Sequence, residues 1–488
     1  MESELLYNGK PLPTLLECEV LVIGGGLAGI CAALGAARAG AKTVLVERNG
    51  TLGGQAAEID TWGIDGFVDN FGHQMIRGIP WEILERTIRE GGSDPAWLNV
   101  DMELMEKQGV KAALRKAGLE AYVPYMETGT YMNPFNDQYV NPNAYRYAAQ
   151  CMLEEAGVRV LLDMPVVDVL MDGNRVCGVV TLAEFQKYAL RAQITVDTSQ
   201  QALVCSFAGK QISHRRVYMG TLPRVAGVDI EALLDYMEKT PGKWLVRPMV
   251  GKAADVSEMR ALARGGNPLA IHGFEHALAG AAAKNPAFKP LVRKNNGQLM
   301  FFYERDGMGA YWTFGDDFNR VQADDPLAMA QAVLAGRKQQ WLMHKFFVTH
   351  IPGFEHAHLA DTYPHISKAY EQSDAAGDFT EYGVTPREIL EGTTDRSDVI
   401  LRVMGHPRSG QCPKGWLLPY GALIPRGLEG ILVAGKPASR KIHYIVTCGA
   451  VGQAAGVAAA EAARGGTTRG ADASRIAGEL ARQGAIVQ

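Results

Sequence analysis

The chain has 488 residues, of which 47% are hydrophobic and 21% charged, and its formal net charge is −4. These values are typical of a globular protein of two or three domains, and they exclude a basic nucleic-acid-binding protein. The seven cysteines are dispersed without a C-x-x-C pair, which argues against a disulfide framework, an iron–sulfur cluster or a cysteine zinc site. No secretory signal is predicted, and the chain is expected to be cytoplasmic.

The first predicted elements form a strand-turn-helix-strand unit. Residues 19–23 read as a buried strand, a glycine-rich turn follows, and residues 27–39 have helical composition. Residues 42–47 read as a second buried strand, and such a unit is parallel and right-handed. The run 21–41 is long enough for a membrane span. Its glycines and interior arginine favour the turn and helix instead, so no membrane span is predicted.

The remaining elements alternate between helical and strand patterns along the chain. Helices are expected near 80–90, 101–117, 142–156, 229–238, 255–264, 326–347, from 386, and at 447–464, and strands at 158–162, 166–171, 175–182, 194–199 and 430–435, with a hairpin over 298–315. Asn141 before Pro142 and Thr385 before Pro386 mark two of the helix starts. The predicted fold class is therefore α/β, with a Rossmann-like domain built on a mostly parallel sheet with a β-hairpin insertion, and an inserted α+β domain.

The strongest motif is Gly24-x-Gly26-x-x-Gly29, which lies between the first strand and the first helix. The first glycine permits the tight turn, the second lets a diphosphate approach the backbone, and the third lets the helix pack on the strand. Glu47 ends the second strand, about 20 residues further on, where an acid that binds a ribose hydroxyl is expected. A glycine-rich packing turn without a ligand is the alternative, and the position of Glu47 disfavours it.

A second glycine pair follows directly after this strand. In a plain NAD-binding unit the chain would enter a helix here, whereas residues 48–55 read RNGTLGGQ. Gly53 and Gly54 would bring the backbone to a long ligand a second time. This favours FAD over NAD.

Four segments of the chain resemble the FAD-dependent oxidoreductases of the glutathione-reductase-like superfamily. They are residues 20–55, 164–180, 351–366 and 427–463. The resemblance implies bound FAD, with the start of the late helix near the pyrimidine end of the flavin, where a helix dipole stabilises negative charge. Residues expected at the cofactor are Gly24, Gly26, Leu27, Ala28, Gly29, Glu47, Arg48, Gly53, Gly54, Gln55, Val166, Gly435, Gly452 and Gln453.

One segment departs from the family pattern. Where relatives usually carry Asp-Ala-Thr-Gly-Asp-Gly, this chain has Asp197-Thr198-Ser199-Gln200-Gln201. Ser199 and Gln201 are expected to replace a close backbone approach by side-chain hydrogen bonds. The departure also motivates an alternative, a flavin-binding scaffold whose chemistry is lost.

The expected reaction is removal of two hydrogens from a small organic substrate, or the reverse reduction. No second G-x-G-x-x-G lies in a strand-helix context within 206–400, so a separate NAD(P)H domain is not expected. A flavin-dependent monooxygenase is an alternative of another class. The expected partners are a small-molecule substrate and an electron acceptor (oxygen, a quinone or a carrier protein), without nucleic acid, and a homo-oligomer is left open.

The catalytic candidates lie in two loops. His443 is the first choice for the base that takes the substrate proton, because an unperturbed histidine titrates near neutrality and this loop joins the late strand to the late helix. Arg440 and Tyr444 are expected to orient the substrate. The resemblance adds Tyr363 and His365 on the substrate side of the flavin. The alternative for these residues is an ordinary polar loop.

No metal site is expected. His272 to His276 match an H-x-x-E-H pattern, which needs a helix and a remote third ligand that the chain does not offer. The predicted FAD-binding domain comprises residues 1–60, 141–205 and 401–488. Residues 61–140 are predicted to form an insertion over the flavin, and 206–400 a substrate or cap domain.

Overall fold

The structure is a computed structural model. It describes residues 6–487 apart from 8, 59–62, 65, 69–73, 121–137, 212–213, 245–254, 267–268, 293–298, 315–320, 323–324, 363–366, 373–378, 405–414, 439–441 and 443. Its strands are β1 (Leu6–Tyr7), β2 (Lys10–Pro11), β3 (Thr14–Ile23), β4 (Thr43–Val46), β5 (Gly63–Ile64), β6 (Gln138–Tyr139), β7 (Arg159–Leu161), β8 (Val166–Asp172), β9 (Arg175–Ala183), β10 (Gln186–Asp197), β11 (His214–Thr221), β12 (Arg224–Ala226), β13 (Leu269–His272), β14 (Leu299–Arg305), β15 (Met308–Phe314), β16 (Val321–Gln322), β17 (His358–Asp361), β18 (Ser367–Gln372), β19 (Val399–Val403), β20 (Trp416–Pro419) and β21 (Ile431–Val433).

The helices fall between these strands. They are α1 (Leu27–Arg38), α2 (Gln55–Glu58), α3 (Ile79–Thr87), α4 (Met102–Gln108), α5 (Val110–Lys116), α6 (Pro142–Glu155), α7 (Leu203–Phe207), α8 (Ile230–Lys239), α9 (Val256–Arg264), α10 (Glu275–Lys284), α11 (Pro326–His350), α12 (Pro386–Glu391), α13 (Ile445–Gly465) and α14 (Ala473–Arg482). Asn141 caps α6 through its side chain, and Thr385 forms a capping box with Glu388, as their sequence positions predict.

The first sheet is mostly parallel. Its order is β7-β4-β3-β10-β9-β8, and β21 pairs in parallel with the end of β10. The neighbours β7, β4, β3 and β10 run parallel, whereas β8, β9 and the start of β10 form an antiparallel meander. The predicted α/β class, the parallel unit and the hairpin between β8 and β9 are confirmed.

Helices α1 and α13 pack together beside this sheet and share its hydrophobic core. That core also takes in α3 and apolar residues of α4 and α5, from the region 61–140. α13 is long and apolar enough to cross a membrane by length and composition, but most of it is buried inside the protein. Its side chains therefore serve as core in this fold.

Several predicted boundaries differ from the structure, and three of them have a clear physical or pairing origin or affect the site. The expected helix over 101–117 is two helices, because Gly109 between them has a φ of 87°, outside the helical region. β10 starts at Gln186 rather than 194, since its first half pairs with the meander strand β9. α13 begins two residues earlier than predicted, at Ile445.

The second sheet is antiparallel, with the order β13-β14-β15-β11-β16, and β12, β17 and β18 attach to it. Helices α8 to α11 pack on one face through a cluster rich in aromatic rings. Phe301 and Tyr311 of the sheet contact Phe347 of α11, and the Tyr311 and Phe347 rings stack at 4.3 Å between centroids. This unit is the α+β part that the sequence predicts.

Candidate functional site

The turn between β3 and α1 is built from glycines. Gly24 has a φ of 106°, which side-chain-bearing residues rarely adopt. A Cβ atom on Gly29 would overlap the carbonyl oxygen of Gly24, so the helix packs directly on the turn. A Cβ on Gly26 would instead point into open space, since its nearest neighbour is the Cα of Gly54 at 4.0 Å. The geometry leaves a concave backbone surface at the N-terminus of α1, where N–H groups favour an anion.

Glu47 lies beside this turn, after the last residue of β4. Its side chain is buried, its Oε2 accepts a hydrogen bond from the Gly25 N–H at 2.5 Å, and its Oε1 accepts one from the Asn49 N–H at 2.9 Å. These two backbone donors hold the carboxylate at the edge of the glycine turn. Arg48, by contrast, is exposed.

The second glycine pair packs on the first. The Gly53 N–H donates to the carbonyl oxygen of Gly25 at 2.8 Å, and Gly53 and Gly26 form an isolated parallel bridge. A Cβ on Gly54 would lie 3.0 Å from the Cα of Gly26. Gln55 then begins α2. The two glycine segments, separated by a helix and a strand in the chain, form one surface, which we call the glycine cradle (residues 24–29 and 53–54).

The segment that precedes Val166 is hydrogen-bonded to the chain at Glu47. The Met164 N–H donates to the backbone oxygen of Glu47 at 3.0 Å, and the Asp163 N–H donates to that of Asn49 at 3.1 Å. Val166 begins β8 two residues later and is half-buried. Val166 thus lies two residues beyond a backbone hydrogen bond to Glu47, and its expected contact with adenine stays a prediction.

The segment that follows the late strand β21 lies close to the glycine cradle. Gly435 follows β21, and a Cβ on it would meet the Cβ of Ala28 at 3.5 Å and the Cβ of Cys448 at 3.8 Å. Burial raises the pKa of the Cys448 thiol to about 11 and lowers that of the Lys436 ammonium. Gly435, Leu27 and Ala28 are thus neighbours around the start of α1.

Gly452 and Gln453 are placed differently from the expectation. A Cβ on Gly452 would overlap the carbonyl oxygen of Ala28, so Gly452 allows α13 and α1 to cross closely. The Gln453 side chain is fully buried, its Oε1 accepts a hydrogen bond from the Ile79 N–H at 3.1 Å, and its Nε2 lies 3.4 Å from Oε1 of Gln483. Both residues pack helices against one another, and we do not propose them further as cofactor ligands.

The departing segment 197–201 is closed by its own hydrogen bonds. Ser199 donates through its hydroxyl to Asp197 at 2.6 Å and accepts from the Leu203 N–H at 2.8 Å. The buried Asp197 carboxylate also accepts from the Val204 N–H at 2.8 Å, and its pKa is raised by burial. Thr198 donates to the carbonyl oxygen of Ile23 at 2.7 Å. The Ser199 hydroxyl is thus used within the loop rather than turned toward the cradle.

Tyr444 is the one predicted catalytic residue in the part of the chain that the structure describes. It is the N-cap residue of α13, its side chain is buried, and a Cβ on Gly66 would lie 2.9 Å from its Cγ. His443, Arg440, Tyr363 and His365 lie outside the described residues. The roles predicted for these four residues stay predictions.

Two neighbours of the site are not apparent from the sequence. Gly66 packs its backbone on Tyr444, and the ring of Tyr145 in α6 lies against Gly53, where a Cβ would approach its Cε1 to 3.1 Å. The Tyr145 hydroxyl is buried and has no hydrogen-bond partner among the described residues. The helical period identifies Tyr145 as a buried position, but no local pattern indicates which surface it contacts.

The H-x-x-E-H pattern is divided between a strand and a helix in the structure. His272 ends β13, whereas His276 lies in α10 with its Nδ1 on the carbonyl oxygen of Gly273. Burial lowers the pKa of His276. Within the described ranges, no three His, Cys, Asp or Glu side chains are grouped as metal ligands.

Comparison with known proteins supports one family. A family model described as FAD dependent oxidoreductase matches residues 19–368. Over 57 residues the chain is 51% identical to one of the subunits of the ferredoxin:CoB-CoM heterodisulfide reductase of Methanosarcina acetivorans, a match that covers 11% of this chain and 7% of that protein. Over 42 residues it is 62% identical to a protein of Archaeoglobus profundus described as similar to the same heterodisulfide reductase component, which covers 9% of this chain and 6% of that protein. The matches thus span less than a tenth of either curated relative.

Solved structures align over most of the chain at low identity. A geranylgeranyl bacteriochlorophyll reductase-like protein from Thermoplasma acidophilum is 12% identical, with a TM-score of 0.43 over 96% of this chain and 84% of that one. L-proline dehydrogenase from P. horikoshii is also 12% identical, with a TM-score of 0.40 over 97% of this chain and 100% of that one. At this similarity the family assignment rests on the family model.

Proposed function

The chain belongs to the FAD-dependent oxidoreductase family, and we propose that it dehydrogenates a small organic substrate or, in the opposite direction, reduces an activated C=C or C=O bond. Its cofactor is FAD, as the family match and the sequence motifs agree. The observation that carries the proposal is the glycine cradle with Glu47 at its edge. When bound, FAD supplies two-electron chemistry, accepting or giving a hydride equivalent.

The residues present fit such a cofactor. Any other residue at position 26 would place its side chain in the open space in front of Gly26. The N-terminus of α1 faces this space. We assign the diphosphate to the glycine cradle, where backbone N–H groups and the helix dipole favour an anion. We assign the adenosine ribose to the Glu47 carboxylate and the adenine to the backbone at Val166.

We propose that the N-terminus of α13 faces the flavin ring of the cofactor. The helix has 21 residues, and its N-cap residue Tyr444 makes no side-chain capping hydrogen bond. The first N–H groups of a helix have no partner inside the helix and carry partial positive charge. In the proposed site these groups face developing negative charge, and Gly435 and Cys448 adjoin them.

Proton transfer would fall to the loop that precedes α13. We propose His443 as the base that takes the substrate proton, with Arg440 and Tyr444 orienting the substrate and Tyr363 and His365 on the substrate side of the flavin. The burial of Tyr444 beside Gly66 supports a site from which water is excluded. Exclusion of water strengthens the electrostatic interactions of such groups.

The spectrum of the purified protein is the first test. We expect about one bound flavin per protein chain, and the absence of bound flavin would contradict the proposal. A panel of alcohols, amines and saturated ketones is then added without oxygen, and bleaching of the flavin band by at least one class is expected. Bound flavin that no member bleaches would favour a scaffold, and rapid oxidation of NAD(P)H would favour a monooxygenase.

A further inference from the structure

A cavity of about 310 Å³ lies between α3 and residues 95–103, apart from the glycine cradle. Its lining mixes apolar and polar side chains; the apolar part contains two indole rings and includes Trp81, Leu84, Ile88, Trp97, Val100 and Met102. Ligand cavities usually measure ~300–1,000 Å³, so this one suits a molecule of one or two rings. Flat aromatic molecules gain most from such walls, because indole faces and edges pair well with other rings.

The polar side chains around this cavity differ in whether they already have a hydrogen-bond or ion-pair partner. Glu85 already accepts the indole N–H of Trp81 at 2.9 Å, and Glu103 pairs with Lys107 at 2.5 Å. Arg77 is exposed and makes no hydrogen bond or ion pair in the part of the chain that the structure describes. The cavity therefore offers a free N–H donor beside two carboxylates. A neutral ligand with an acceptor oxygen fits this set better than an anion does.

The cavity adjoins the proposed reactive end of the cofactor site. The Trp81 ring meets the Phe67 ring edge-on, with 5.2 Å between centroids. Phe67 is buried, and the preceding residue, Gly66, packs on Tyr444 at the start of α13. One wall of the cavity is thus separated from the N-cap of α13 by a single ring and a glycine backbone.

We propose that this cavity binds the electron acceptor of the enzyme, a neutral quinone of one or two rings, with Arg77 donating to a carbonyl oxygen. The inference rests on the proposed function and names its second substrate. The substrate loses two electrons and two protons, and the quinone gains two of each and leaves as the quinol. A carrier protein could not enter a cavity of this size, and dioxygen would need no aromatic walls.

Titration of the holoenzyme with menadione tests the site. Quenching of tryptophan fluorescence reports binding, because Trp81 and Trp97 form the walls. Arg77→Gln is expected to raise the dissociation constant roughly tenfold, as loss of a hydrogen bond from a charged donor does. Arg115→Gln removes the same charge from an exposed position in α5 outside the cavity and is expected to leave the dissociation constant unchanged.

A second variant tests whether menadione binds inside the cavity. Val100→Phe fills the cavity and is expected to abolish saturable quenching; its melting temperature verifies that it folds. After photoreduction, reoxidation by menadione should slow at least tenfold in both variants, whereas reoxidation by ferricyanide should not change. Wild-type binding or reoxidation by menadione in Arg77→Gln would overturn the inference. Failure of the proposed function would appear separately, as a protein without FAD.

Discussion

Gly452 in α13 lies against the carbonyl oxygen of Ala28 in α1, so close that a Cβ atom would overlap it. One helical turn later, Gly456 has the same relation to Ala32. The two helices, more than four hundred residues apart in the chain, cross with their backbones in contact. This crossing holds the N-terminus of α1 in place behind the glycine cradle.

Gly452→Ala should loosen this crossing. Overpacking of a tight core costs about 1–3 kcal/mol, which exceeds the helix propensity gained on replacing glycine by alanine. We expect a lower melting temperature and weaker FAD retention. Gly478→Ala in α14 is the matched control, since a Cβ there meets nothing within 4 Å. Equal melting temperatures for the two variants would contradict the packing assignment.

Gly26→Ala should separate folding from cofactor binding. The protein itself leaves room for the new methyl group, so the stability of the apoprotein should stay within about 0.5 kcal/mol of wild type. FAD affinity should fall about tenfold or more, which corresponds to ~1.4 kcal/mol. Equilibrium dialysis measures the affinity, with Gly280→Ala in α10 as the control. Unchanged FAD affinity would remove the diphosphate from this position.

Ser199→Ala should affect the stability of the protein rather than its flavin content. The hydroxyl makes two hydrogen bonds within its loop, at 2.6 and 2.8 Å, each worth about 1 kcal/mol. A lower melting temperature with the same flavin-to-protein ratio is expected. Ser206→Ala, at an exposed position of α7, should change neither. Loss of flavin without loss of stability would instead mean that Ser199 contacts the cofactor.

His443→Asn should retain the flavin and lose substrate oxidation. General base catalysis is typically worth about 10²–10⁴-fold, so the rate of anaerobic bleaching should fall by that factor. Tyr444→Phe keeps the buried ring and should lower the rate about fivefold if the hydroxyl orients the substrate. His356→Asn makes the same replacement at an exposed residue and should have no effect. Wild-type bleaching by His443→Asn would dismiss the base assignment.

The stability of the protein should fall as the pH drops below about 6.5, in part because of His344. Burial, and to a lesser degree the charge of His358, lowers the pKa of His344, and its Nδ1 lies within hydrogen-bond distance, 3.2 Å, of the Tyr311 hydroxyl. The unfolded chain therefore binds the proton more tightly, and stability is lost as the pH falls from the unfolded pKa toward the folded one. Melting temperatures at about pH 7.5 and about pH 5.5, on either side of the unfolded pKa, should differ less in His344→Gln than in wild type. An equal difference in both proteins would contradict this role.

The glycine cradle is largely predictable from the sequence because the patterns that determine it are local. A glycine turn after a strand, an acid at the end of the next strand and a second glycine pair are contiguous patterns, and the parallel pairing of β3 and β4 brings them together. The caps at Asn141 and Thr385 are read from the sequence for the same reason, since each side chain bonds to backbone within three residues.

The contacts of Gly452 and Gln453 could not be predicted from local sequence patterns. In sequence they look like small and polar residues at the start of a cofactor helix, yet their partners are Ala28, Ile79 and Gln483. Ser199 likewise reads as a free polar group, but its hydroxyl is used by the turn that starts α7.

The sequence by itself determined the α/β class and the position of the glycine turn, because these depend on hydrophobic period and on spacing over a few dozen residues, and its resemblance to known proteins indicated the FAD family. Only the tertiary structure decided that α13 packs on α1, that Gly66 covers Tyr444 and that two tryptophans enclose a cavity beside Phe67. Such contacts join residues far apart in the chain, and their partners are set by which faces meet when the sheet and helices pack.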